Sequence, residues 1–139
     1  LIMKINNKIL FTFLLIVLIV YLFSTNKSEF TVKIKVTKNN NEKIRGLMFK
    51  KYLDITEGML FKNINSVWMK NTYIPLDVIF LDNDYRVVGF VEDTVPLSLN
   101  TVTIDKKSDH ILEVASGFIR TNNVKIGKKM IGIEIQKLS

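Results

Sequence analysis

Cysteine is absent from the 139-residue chain, and histidine occurs once, at His110. Without cysteine there is no disulfide framework, thiol catalysis, iron–sulfur ligation, zinc finger or lipidated N-terminal cysteine, and one histidine leaves no multi-histidine metal site. Proline and glycine are scarce, with two and six residues, and the length suits one small domain around one core. Acidic residues are missing from the first 27 positions, which hold three of the twenty basic residues and a dense apolar run. Residues 28–139 carry seventeen basic and thirteen acidic side chains, +4 of the total +7.

Lys4 and Lys8 precede residues 9–23, where Thr12 is the only polar interruption. This is the layout of a secretory signal or signal anchor. As a helix the fifteen residues span about 22 Å, against a hydrocarbon core of about 30 Å. Cleavage after Ser24 would place Leu22 third from the cut, and cleavage after Thr25 would place Phe23 there, so no small-residue site is present. The reading is an uncleaved membrane anchor, with a cleaved leader as the alternative. It divides the chain into a leader or anchor over 1–27 and an extracytoplasmic domain over 28–139, on the periplasmic side or secreted if the leader is removed.

The exported part reads as strands with one or two short helices. Residues 31–37 alternate, with Val32, Ile34 and Val36 on one face and Lys33 and Lys35 on the other, as in a half-buried edge strand. The spacing of Ile44, Leu47, Met48 and Tyr52 predicts a helix over 42–53. Residues 59–61, 67–69, 97–104, 110–115 and 131–135 read as strands, and 77–82 with 86–91 as a hairpin turning at Asn83-Asp84. Residues 117–121 suit a helical turn. The expected fold is α+β, a compact, mostly antiparallel, curled or barrel-like sheet with one or two short helices, preceded by an N-terminal hydrophobic helix.

Arg45-Gly46-Leu47-Met48, Gly58-Met59-Leu60-Phe61, Trp68-Met69-Lys70-Asn71-Thr72 with Ile74-Pro75-Leu76-Asp77, and Leu112-Glu113-Val114 followed by Gly117 occur in this order. Together they resemble the domain of unknown function family numbered 192, over roughly residues 32–135. The resemblance implies a β-rich, barrel-like domain, commonly behind an export signal, and implies no reaction. Val67 and Lys128 depart from that pattern, where an aromatic and an acidic residue are usual.

Residues 68–77 gather indole, thioether, ammonium, amide and carboxylate groups that can line a pocket. They serve equally as a strand and ordered loop, with Trp68 in the core and Asp77 paired to Lys70 or Arg45. The planar fork of Arg45 suits an anion or a buried partner such as Asp77 or Glu113. His110 and Glu113, three apart in a strand, face opposite ways. Glu113, between Leu112 and Val114, must find a partner or shift its pKa. Asp82-Asn83-Asp84 opens like a calcium loop, but Val87 stands where glycine is required and Asp93 where glutamate is, so a turn explains it better.

No metal site or cofactor is expected, and no nucleic-acid motif accompanies the diffuse basic surface. The preferred function is a non-catalytic envelope module that meets the membrane through residues 9–23. It binds a small molecule, envelope polymer or protein through Arg45, Trp68, Lys70, Asn71, Asp77 and Glu113. The alternative is an envelope hydrolase or lyase, with Asp77 or Glu113 as acid–base and Arg45 or Lys70 holding an anionic substrate.

Overall fold

The computed structural model describes residues 6–25, 32–130 and 133–135. Lys4, Lys27 at the expected domain boundary and Lys137 lie outside them. α1 (Asn7–Thr25) carries the apolar run, and its side chains from Ile9 to Tyr21 are exposed. Among the described residues no helix is long and apolar enough to cross a membrane.

The rest is a six-stranded mixed sheet with a small accessory ribbon. In chain order the elements are β1 (Val32–Val36), α2 (Asn40–Arg45), β2 (Glu57–Lys62), β3 (Val67–Trp68), β4 (Leu76–Leu81), β5 (Val87–Val91), β6 (Thr101–Val102), β7 (His110–Ala115), α3 (Phe118–Thr121) and β8 (Ile133–Ile135). The main sheet runs β5-β4-β7-β2-β1-β8, and β3 pairs with β6. β1 is parallel to both β2 and β8, whereas β2–β7, β4–β7 and β4–β5 are antiparallel. The parallel step from β1 to β2 needs a crossover, which the α2 segment supplies.

Three expectations are corrected here. Antiparallel pairings outnumber the two parallel ones at β1, but β1 is an inner strand despite its lysines, because β8 covers its outer side. The sheet is also not a closed barrel. β5 and β8 are its edges, although an Arg86–Lys129 bridge and the bond from Val87 N–H to Lys128 O (3.0 Å) lay the segment ahead of β8 along β5. The predicted helix over 42–53 is only α2. Asn39 caps its start by accepting Glu42 N–H at 2.9 Å, and Gly46 (φ 47°, ψ −128°) ends it. The supposed apolar face is split, with Ile44 at 65% and Tyr52 at 72% exposure while Leu47 is buried.

Both sheet faces are covered, which is why every residue of β4 is buried. Ile34, Leu60, Ile79, Leu112 and Val114 pack on one face against Phe118 and Ile119 of α3. Met59, Phe61, Val78, Phe80 and Ile111 pack on the other against Leu47, Leu53 and Met69 from the loops.

Candidate functional site

Past α2 the chain reverses at Gly46, whose N–H bonds Glu42 O at 2.8 Å. A Cβ at Gly46 would stand 3.2 Å from the Phe61 ring. Leu47 then plugs into the core, 3% exposed, and residues 45–48 become a wall with a cleft on each side.

The larger cleft, about 520 Å³, holds Lys33, Lys35, Arg45 and Lys50 against Glu42 and Glu57, a basic excess. The smaller, about 100 Å³, is lined by Arg45, Gly46, Phe61, Trp68, Thr72 and Glu113 among others. Glu113 sits mid-strand in β7, opposite Met59 on β2 and Val78 on β4. It is 5% exposed, and burial alone pushes its carboxyl up to about 8. No ion pair joins it to Arg45, which is exposed. At neutral pH the group is therefore mostly a neutral acid, able to donate as well as accept.

Trp68 is 45% exposed rather than in the core, and the Lys70 ammonium lies 4.9 Å from its ring centroid. Asn71 takes a left-handed conformation (φ 56°) in the turn closed by Thr72 N–H to Met69 O, and its own carbonyl accepts Phe49 N–H at 2.8 Å. Asn71 is thus a loop-positioning residue.

Asp77 departs from the expectation that it joins this group or pairs with Lys70 or Arg45. Its register places it beside Val114, on the face opposite Glu113. There its fully buried carboxylate accepts Asp93 N–H at 3.0 Å and Ile119 N–H at 2.9 Å. Nearby, Asp93 accepts from Ser116 and pairs with Arg120 at 3.0 Å, holding its carboxyl below the usual carboxylate range. His110 also faces away from Glu113, stacking on Tyr85 with centroids 5.0 Å apart while its Nδ1 accepts Asn63 N–H. The Asp82 carboxylate accepts Asp84 and Arg86 N–H groups, an ordinary turn device. Among the described residues no group of three histidine, cysteine or acidic side chains is placed to hold a metal.

The structure therefore gathers Arg45, Trp68 and Glu113, with Lys70 at the indole, and sends Asp77 elsewhere. Thr72 and Phe61 were missed as lining residues, although both stand in the motifs that carry the family resemblance. The basic larger cleft was missed because its lysines come from β1 and a distant loop.

The DUF192 family profile, described as "Uncharacterized ACR", matches residues 22–132. The chain belongs to this family. All the DUF192 motifs noted in the sequence fall inside that match, and the residues lining the smaller cleft come from them or their flanks. A crystal structure of a protein of unknown function from Novosphingobium aromaticivorans DSM 12444 is similar at 30% identity and TM-score 0.65, covering 70% of this chain and 73% of that one. Another, from Sinorhizobium meliloti 1021 and provisionally described as a transcription regulator, shares 28% identity at TM-score 0.63, covering 70% and 78%. No curated protein matches.

Proposed function

We propose that this DUF192 domain is a binding module held at a membrane through residues 9–23, with the domain outside the cytoplasm, and that it takes a small polar ligand in the Glu113 cleft. The observation that carries the reading is Glu113: a carboxyl group on a central strand, flanked by Met59 and Val78, opening on a cleft beside the exposed Arg45 and a half-exposed indole. Burying an acid in an apolar strand costs stability, and a glutamine or methionine there would fold more easily. A ligand that bonds the carboxyl and meets Arg45 at the mouth offsets that cost. The exposed apolar side chains of α1 support the anchor.

The enzyme alternative loses Asp77 as its acid–base and keeps only Glu113, which shares its cleft with Arg45. Asp77 and Glu113 face opposite sides of the sheet, and Asp77 is committed to two backbone N–H groups.

Native mass spectrometry of the full chain, extracted from its own membrane and compared with refolded protein, tests the binding reading. An added mass in the extracted wild type that Glu113→Gln and Arg45→Ala lose is expected. A bare polypeptide mass in the extracted wild type overturns it.

A further inference from the structure

Three loops meet beyond the start of β4, tied by backbone bonds. Phe49 N–H donates to Asn71 O (2.8 Å), Met69 N–H to Ser98 O (3.2 Å) and Leu97 N–H to Thr72 O (3.0 Å). Large apolar side chains project from them: Phe49 is 53% exposed, Tyr73 48%, Leu97 55% and Leu99 69%, and the Phe49 and Tyr73 rings meet edge to face at 6.1 Å. An assembled surface of this kind marks an interaction site more than scattered apolar residues do.

Two of these residues are held in backbone conformations that favour glycine or asparagine. Phe49 has φ 64° in the turn closed by Lys50 N–H to Leu47 O, and Leu97 has φ 62° directly after Pro96. Asparagine fills the equivalent positions at Asn63, Asn71 and Asn123. Tyr85, also left-handed, is explained by its stack on His110. No buried packing explains Phe49 or Leu97, whose side chains point to solvent at a cost in backbone strain.

The charges choose the occupant. Residues 47–53, 66–76 and 95–104 contain no Asp or Glu, and their only charged side chains are Lys50, Lys51 and Lys70. A second copy docked on this face would set lysines against lysines, whereas an anionic headgroup layer would complement them. We propose that this surface is a lipid-contacting face, in which Phe49, Tyr73 and Leu97 enter the headgroup region of an anionic bilayer while the three lysines meet its phosphates. The choice of lipid rests on the anchored reading above, because α1 would hold the domain beside a bilayer.

The test uses the full chain with vesicles of phosphatidylglycerol and phosphatidylcholine carrying brominated acyl chains, which quench indoles at short range. Trp68 is the only tryptophan, so Trp68→Phe gives a dark background for Tyr73→Trp as reporter. Flotation with the vesicles reports the anchor separately. Quenching of the reporter at 73 is expected, with most of it lost when Phe49→Asn and Leu97→Asn are added and little seen for Asn83→Trp at the far end of β4. The two asparagine changes should leave melting unchanged or raise it, because asparagine tolerates those backbone angles. Flotation without quenching at 73, or quenching that survives the asparagine changes, overturns the lipid face and leaves the anchor standing. Failure to float overturns the anchor.

Discussion

Asp77 and Ile119 are joined by a bond from the Ile119 N–H to the Asp77 carboxylate at 2.9 Å, buried and spanning 42 residues of sequence. The same carboxylate orders the turn at Asp93, so one side chain on β4 fixes both α3 and the loop leaving β5. Asp77→Ala strands two N–H groups and should cost about 3 kcal/mol, lowering the melting temperature by more than about 10 °C. Asp77→Asn, which keeps one acceptor, should fall between it and the wild type in a thermal melt followed by circular dichroism.

Glu113 gives stability an unusual pH dependence. Its folded pKa, about 8, lies above the ordinary value of 4.5, so between these values the unfolded chain releases a proton that the folded chain keeps. Its contribution is fully present below about pH 4.5, declines as pH rises and levels off above about pH 8, a swing of a few kcal/mol. Glu113→Gln should therefore gain stability over the wild type progressively from pH 5 to 8 in urea titrations. A constant difference across that range would contradict the buried acid.

Among the described residues Arg45 has no ion-pair partner, and it is exposed. Arg45→Ala should then shift the melting temperature by no more than about 3 °C, as for ordinary surface changes. A fall of ten degrees would mean that the guanidinium holds the fold together and is not available to a ligand.

Gly46 adopts φ 47° and ψ −128° with the Phe61 ring 3.2 Å from where a Cβ would stand. Gly46→Ala should cost about 2 kcal/mol, read as a lower urea midpoint at unchanged slope, and should displace the wall between the two clefts.

Local pattern made much of the sheet legible. Alternation in Val32, Ile34 and Val36 marked β1, and the two apolar runs about Asn83-Asp84 marked the β4–β5 hairpin. Alternation names faces but not neighbours, so the parallel partners of β1 and the open edges of the sheet were hidden. Ile44, Leu47, Met48 and Tyr52 imitate a helical stripe, yet the cap at Asn39 and the reversal at Gly46 confine the helix to six residues. The approach of Glu113 to Arg45 depends on β7 lying beside β2, a long-range pairing that spacing cannot express. Asp77 was visible as a polar residue in an apolar strand, but the backbone groups it serves belong to elements with no sequence mark of needing a carboxylate.

The last strand has a bearing on when this domain can fold. β1 pairs with β8, and the residues just before β8 lie along β5, so one short C-terminal segment touches both sides of the sheet. A chain emerging from the ribosome would carry an incomplete sheet, its first strand open on one side, until β8 has emerged. The six-stranded sheet is therefore incomplete until β8 has been made, however early β1 and β2 meet.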